Sequence, residues 1–180
     1  YMDIIRQCVN KAESEDMLAW LYDEDRWPSG AAGGLVTRDH RYRQCFLVFS
    51  RDKLPDSEPL AVFDVSLAAD GTLNDYRRIS EGESVSGFAL YATVQLAGDN
   101  PWFNNQAYLN TLDPESVRAF LHTTHDRYYE TVGEQFSKRI PAIFTDEPQF
   151  SCKGTLSFAF DTHPVTLPWT HDFPESFMRA

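Results

Sequence analysis

The stretch Ile143-Phe144-Thr145-Asp146-Glu147-Pro148 decides the fold predicted for this chain. A short apolar run delivers an acidic pair and then stops at a proline, a residue that cannot continue a central strand. Such a run is typical of a buried parallel strand that presents its carboxylates at the carboxyl end. The sequence therefore predicts a strand at about residues 142–145, with Asp146 and Glu147 at its tip.

The residues before this strand predict a helix. Asp113 suits the N-cap, Pro114 suits the first helical position, and apolar residues then recur at helical spacing. A helix of about six turns is expected. It should end near Lys138 or Arg139, where cations favour the C-terminal end of the helix dipole. Helix, short connection and buried strand together indicate an α/β unit.

The N-terminal segment has the same organisation. Apolar residues at helical spacing between Met2 and Ala12 precede an apolar run at 18–22, which opens into Asp23-Glu24-Asp25. A glycine-rich loop follows, and its Trp27 offers a flat face of the kind that stacks on sugar rings. Acidic triplets are usually solvated loops; this one lacks the regular spacing of a calcium loop, although three carboxylates can hold calcium.

The middle of the chain differs from both ends. Runs with β-branched and aromatic residues, separated by turn signals, predict an antiparallel insertion of three to five strands at residues 40–98. Parallel strands are predicted at about 18–22, 107–110 and 142–145. We expect the two acid-tipped strands, at 18–22 and 142–145, to lie side by side, so that Glu24 and Glu147 face one shared hollow. The predicted fold class is therefore α/β, a partial (β/α)8 (TIM) barrel with an antiparallel β insertion. Residues 1–39 and 99–180 form the partial barrel, which we expect to be a fragment because a complete barrel needs about 250 residues.

Composition excludes several classes of partner. The formal charge of −11 and the scattered arginines and lysines argue against binding to nucleic acid or to anionic membrane surfaces. No run of apolar residues reaches the length needed to span a bilayer, so a soluble protein is expected. Its compartment stays open between the cytoplasm and the periplasm or secretion.

Cysteine and histidine spacing gives no metal or disulfide pattern. Cys8, Cys45 and Cys152 are isolated and odd in number, which fits neither a disulfide framework nor a zinc site. His122 and His125 would share a helix face, but a third ligand in register is missing from the sequence. We therefore expect no cofactor, with calcium at the acidic triplet left open.

Three motifs in order carry a resemblance to a known family. They are Tyr22-Asp23-Glu24-Asp25-Arg26-Trp27-Pro28-Ser29-Gly30, Asn110-Thr111-Leu112-Asp113-Pro114-Glu115 and Phe144-Thr145-Asp146-Glu147-Pro148. Together they resemble large bacterial glycoside hydrolases of the α-L-rhamnosidase-like kind, which are built on (β/α)8 barrels. The last motif is also similar to the Asn-Glu-Pro of many retaining glycosidases, whose glutamate is the general acid/base. The resemblance implies that Glu147 protonates the leaving glycosidic oxygen.

The resemblance leaves the second catalytic carboxylate open. In a retaining enzyme the nucleophile lies on a seventh strand, which this chain does not reach, whereas in an inverting enzyme Glu24 or Asp23 is available. Glu24 is taken as the second catalytic residue. Acids crowded at strand ends raise each other's pKa, as the proton donor requires. Substrate contacts are assigned to Asp146, Asp23, Trp27, Asn105 and Asn110, and Asp146 departs from the family by replacing the asparagine that contacts the substrate.

Two other functions are compatible with the same residues. The chain could be a noncatalytic carbohydrate-binding module, or a metal-dependent hydrolase that uses Asp23, Asp146 and a histidine. The expected partner is an oligosaccharide or another glycoside. Because half a barrel exposes strand edges, a homo-oligomer or pairing with the missing remainder of the barrel is also expected.

Overall fold

The computed structural model of this chain describes residues 1–80, 82–150 and 153–180; Cys152 lies outside the described residues. The chain divides into two compact units. Unit 1 is formed by Tyr1–Gln44 and Ala97–Gln149, and unit 2 by Cys45–Leu96 and Phe150–Ala180. Along the chain the helices and strands are α1 (Met2–Ser14), β1 (Leu21–Tyr22), β2 (Cys45–Ser50), β3 (Ala61–Leu67), β4 (Leu73–Ile79), β5 (Phe88–Leu96), α2 (Pro114–Leu121), α3 (Arg127–Val132), β6 (Ile143–Phe144), β7 (Val165–Trp169) and α4 (Phe173–Arg179).

Unit 1 contains a pair of parallel strands, β1 and β6. Leu21 lies opposite Ile143, and Tyr22 lies opposite Phe144. Helices α1 and α3 pack beside this pair over a core of buried residues that consists of Val9, Leu21, Tyr128, Val132 and Ile140. The prediction that the two acid-tipped strands lie side by side is confirmed, and both acidic segments leave the same end of the pair.

The long helix predicted after Asp113 is interrupted. Its start is as expected, because the Asp113 carboxylate accepts the backbone N–H groups of Glu115 (3.2 Å) and Ser116 (3.0 Å). Between α2 and α3 the chain forms a π-helix at His122–Asp126. Here the hydroxyl groups of Thr123 and Thr124 each donate to a carbonyl one turn earlier, at 2.8 Å, and such bonds compete with the helical ladder.

Unit 2 is built on a five-stranded antiparallel sheet in the order β4-β3-β5-β2-β7. Its core contains Cys45, Leu47, Ala92 and Trp169. Strands β2 to β5 lie within residues 40–98, where three to five strands were predicted, and β7 lies outside that range. Strand β4 is charged and almost wholly exposed. Strand β7 contains Pro168, which has no backbone N–H to donate and is therefore tolerated in a strand at the edge of the sheet.

The predicted partial (β/α)8 (TIM) barrel is wrong. The protein is a small α/β structure in which the larger sheet is antiparallel and the parallel sheet has two strands. The third parallel strand expected at residues 107–110 makes only an isolated antiparallel bridge, between Leu109 and Arg43. Ala107, Tyr108 and Leu109 are buried, at 1–3% exposure, and this burial accounts for the apolar run in the sequence. An apolar run alone does not distinguish a parallel strand from another buried segment.

Over the described residues, each helix is too short or too polar to cross a bilayer.

Candidate functional site

Two loops of unit 1 are joined at the carboxyl ends of β1 and β6 by the carboxylate of Asp23. This side chain is only 2% exposed. Its Oδ1 accepts the hydroxyl of Ser29 at 2.6 Å, and its Oδ2 accepts the hydroxyl of Thr145 at 2.7 Å. The Nε2 atom of His125 lies 3.5 Å from the same Oδ2. Asp23 therefore ties the loop after β1 to the residue that follows β6 and to the π-helix.

Ser29 extends this network to the acidic pair after β6. Its Oγ accepts the backbone N–H of Asp146 at 2.9 Å, and its own N–H donates to the Asp146 carbonyl, also at 2.9 Å. The next residues are held as well, because the Gln149 N–H donates to the Tyr108 hydroxyl at 3.1 Å. The backbone on both sides of Glu147 is thus fixed by hydrogen bonds.

Glu24 is buried, at 7% exposure, and its carboxylate is surrounded by backbone donors. Its two oxygens accept N–H groups, at 2.5–3.2 Å, from Asp25, Gly30, Ala31, Ala32 and Gly33. Burial raises the pKa of Glu24, while several of these N–H donors act in the opposite direction. In this geometry Glu24 holds the loop at residues 30–33 in place, as a carboxylate in a ring of N–H groups does.

Glu147 has the opposite surroundings. It is exposed, and it has a φ of 44°, a left-handed conformation that is uncommon for a residue other than glycine. Its Oε2 accepts the indole N–H of Trp27 at 3.1 Å. Backbone strain of this kind persists only where the surroundings enforce it and is concentrated at functional sites. Six other described residues besides glycine share a positive φ, so the reason to take Glu147 as the centre of a candidate site is this conformation together with its exposed, indole-bound carboxylate.

Exposed aromatic and polar groups lie around Trp27, the residue whose indole contacts Glu147. Trp27 and Trp102, which we call the tryptophan patch, are 45% and 50% exposed, and the Trp102 indole N–H donates to the Trp27 carbonyl at 2.6 Å. The Arg26 guanidinium lies 5.8 Å from the Trp102 ring centroid and donates to the Trp102 carbonyl at 3.1 Å. The Asn104 amide donates to the Asp25 carboxylate at 3.2 Å. Flat rings with carboxylate, amide and guanidinium groups around them can stack on a saccharide and hydrogen-bond to it.

The structure places the other predicted contact residues differently. Asp146 is half-buried next to Glu147. Asn105 is exposed in a turn, with a φ of 58°, where its N–H donates to the Asn100 carbonyl at 3.1 Å. Asn110 is buried, and its side chain accepts the Leu112 N–H at 3.3 Å. Of the predicted residues, Trp27, Asp146 and Glu147 are brought together at the surface, and Asp23 lies buried in the network that supports them.

A pocket of about 300 Å³ lies beside the acidic triplet. It is lined by Asp23, Glu24 and Asp25, and by residues of the π-helix and α3 that include Thr123, Thr124, Arg127 and Tyr128. Glu147 is not among its lining residues. This pocket is therefore not the shared hollow that was expected between Glu24 and Glu147, because only Glu24 lines it.

Several supporting residues were missed by the sequence analysis. Ser29 and Thr145 are short hydroxyl side chains in loops, and Arg26 stands beside Trp27; only their position next to predicted strand ends could have singled them out. The partners of Thr145 and Arg26 lie far away in the sequence.

Metal ligation has limited support. Within residues 1–80, 82–150 and 153–180, no group of three or more histidine, cysteine, aspartate or glutamate side chains is arranged to hold a metal ion. His122 pairs with Asp126 at 3.1 Å, and Cys45 is buried, with its Sγ 3.3 Å from the Trp169 carbonyl.

No protein-family model matches this chain, and neither a curated protein nor a solved structure matches it. We therefore infer the function from the geometry of the site and from the resemblance of its motifs.

Proposed function

We propose that this protein is a glycoside hydrolase in which Glu147 is the general acid/base. The observation that carries the proposal is the placement of this carboxyl group: exposed, at a strained backbone position after a strand, and oriented by the Trp27 indole. Among the described residues, Oε1 of Glu147 has no hydrogen-bond partner, so it is the oxygen available to a substrate.

The chemistry follows from the two oxygens of Glu147. Protonated on Oε1, the carboxyl group donates its proton to the glycosidic oxygen as the bond to the sugar carbon breaks. The resulting carboxylate keeps the hydrogen bond that the Trp27 indole donates to Oε2. A water molecule then forms the new bond to the sugar carbon and gives a proton to the same carboxylate, so the departing oxygen has become a hydroxyl group and Glu147 is protonated again.

The tryptophan patch supports a saccharide as the substrate. Two exposed indole rings give apolar faces for a sugar, and Arg26, Asp25 and Asn104 give hydrogen-bonding groups near them. The net charge of −11 favours neutral or cationic glycosides over anionic polymers. No cofactor is part of the proposal, and we expect turnover to be unchanged after treatment with a chelator, which also tests calcium and the metal-dependent alternative.

Glu24 enters the proposal as a positioning residue. Its ring of backbone donors fixes the loop that follows β1, and this loop contains Trp27 and Ser29. Asp23 acts in a similar way, because it holds Ser29 and Thr145 and so fixes the backbone that leads to Glu147.

The test is hydrolysis of a panel of phenyl glycosides, whose leaving group needs a proton, by the wild-type chain and by Glu147→Gln. We expect kcat/KM to fall by about 10²–10⁴-fold, the usual contribution of a general acid/base, with saccharide binding retained. Glu130→Gln is the matched control, since Glu130 is an exposed glutamate of α3 in the same unit. Equal turnover of Glu147→Gln and wild type would refute the proposal.

The tryptophan patch also favours the alternative, a noncatalytic carbohydrate-binding protein. In that case the wild-type chain binds a saccharide without hydrolysing it, Glu147→Gln binds equally well, and Trp102→Ala weakens binding. Aromatic stacking supports this expectation, since it contributes to binding whether or not a bond is cleaved.

A further inference from the structure

Unit 2 contains a second pocket, of about 330 Å³, on one face of its antiparallel sheet. This is the lower end of the volumes usual for small-molecule sites. Its floor is made by apolar side chains from four strands, which are Phe49, Val65, Leu67, Phe88, Leu90, Val165 and Leu167. Leu156, Ala159 and Asp161 line it from the segment before β7.

That covering segment is held in a defined shape by Asp161. The side chain is 6% exposed, and its carboxylate accepts the backbone N–H groups of Ser157 and His163, both at 3.0 Å. These N–H groups, together with the His163 ring 2.5 Å away, hold the pKa of Asp161 well below its usual range. The segment also contacts the turn after β3, where a side chain at Gly71 would lie 2.4 Å from the Cβ of Ala159. The pocket therefore has a fixed wall.

Arg51 brings a positive charge to this apolar pocket. It is half-buried, and its guanidinium carbon lies 4.1 Å from the centroid of the Phe88 ring. Among the described residues, no carboxylate lies within ion-pair distance of Arg51, although the chain has 27 acidic residues against 16 basic ones. A guanidinium stacked on an aromatic ring keeps its in-plane N–H groups available, and their geometry matches a carboxylate.

We propose that this pocket binds a small organic carboxylate with an apolar body, whose carboxylate pairs with Arg51 and whose body packs on Phe88 and Leu90. The lining offers few hydrogen-bond donors for a polyhydroxylated ligand, so a saccharide suits it less well. The site is independent of Glu147 and of the proposed hydrolysis.

Phenylbutyrate is the probe, and phenylbutanol is its neutral counterpart of similar size. Titrations of the full chain, followed through the methyl signals of Val65, Leu67 and Leu90, should show phenylbutyrate binding with a Kd of about 1 mM or lower. Because a hydrogen-bonded charge pair favours the anion, the alcohol should bind roughly tenfold to hundredfold more weakly.

Two substitutions test whether Arg51 causes the preference for the acid over the alcohol. Arg51→Gln should remove the difference between acid and alcohol, and Arg51→Lys, which keeps the charge, should retain part of it. Arg78→Gln is the matched control, since Arg78 is an exposed arginine of β4 that does not line the pocket. The inference is overturned if phenylbutyrate does not bind, if acid and alcohol bind equally to the wild type, if Arg51→Gln keeps the preference, or if the perturbed methyl signals lie outside the pocket.

Discussion

Two glutamates of unit 1 show how surroundings decide the role of one residue type. The Glu24 carboxylate is buried and accepts five backbone N–H groups, whereas the exposed Glu147 accepts one indole N–H. Removing a carboxylate from water is costly unless donors replace the water, and at Glu24 they do. The sequence shows both residues as acids at strand ends and does not distinguish them.

Glu24→Gln should destabilise the protein. The amide nitrogen would place a donor against the backbone donors of residues 30–33, and a loss of about 2–4 kcal/mol in the free energy of unfolding is expected. Urea denaturation measures it, with Glu130→Gln as the exposed control. A variant of unchanged stability with abolished turnover would instead support Glu24 as a catalytic residue.

Asp161 predicts a dependence of stability on pH. In the folded protein the pKa of Asp161 is lowered, most strongly by the backbone N–H of Ser157 and next by that of His163. Its contribution to stability is therefore complete above the unfolded pKa of about 4 and is lost as the pH falls through the folded value. The difference in urea midpoint between wild type and Asp161→Asn should shrink as the pH is lowered below about 4. A difference that stays constant or grows would contradict this.

At the scale of elements, hydrogen bonds between side chains stabilise a pair of parallel strands that is too short to be stable alone. Strands β1 and β6 have two residues each, and an isolated pair of such strands is marginal in water. The hydrogen bonds from Ser29 and Thr145 to Asp23 continue the connection beyond the strand ends. They are the reason that the Glu147 segment has a fixed position relative to the Trp27 loop.

Gly87 should be essential for the pairing of β3 and β5. A Cβ at this position would lie 2.1 Å from the Val65 carbonyl oxygen, and the Gly87 N–H donates to Asp64 at 2.9 Å. Gly87→Ala should lower the free energy of unfolding by about 2 kcal/mol or more. Gly98→Ala, where nothing lies within 4 Å of the added carbon, should change it by less than about 0.5 kcal/mol. If the two substitutions changed the free energy of unfolding by similar amounts, the prediction would be wrong, because the β3 backbone would have moved to accommodate the added carbon.

Local signals in the sequence predicted local structure, and long-range pairing was harder to predict. The Asp113 cap and the apolar run before Asp146 depend on neighbouring residues, and both appear as expected. Strand β7 is stabilised by pairing with β2, more than 100 residues away, whereas its Pro168 is a local signal against a strand. The expected strand at 107–110 was a buried segment of another kind. Likewise, Glu24 can be buried because backbone N–H groups point at its carboxylate. No pattern of residue types in the sequence specifies the direction of those groups.

At the scale of the whole molecule, each unit has its own core and its own chemistry. Unit 1 carries the exposed Glu147 with the tryptophan patch, in a chain whose net charge of −11 disfavours polyanions. Unit 2 carries an apolar pocket with Arg51. The central claim is that Glu147 donates the proton that a departing sugar oxygen requires.

The most direct measurement compares leaving groups. For Glu147→Ala, kcat/KM is determined for the phenyl and the dinitrophenyl glycoside of one sugar, each relative to wild type. We expect kcat/KM to fall by about 10²–10⁴-fold for the phenyl glycoside and to change little for the dinitrophenyl glycoside, whose leaving group departs without a proton. An equal loss for both substrates, or no loss for either, would contradict the role of Glu147 as general acid.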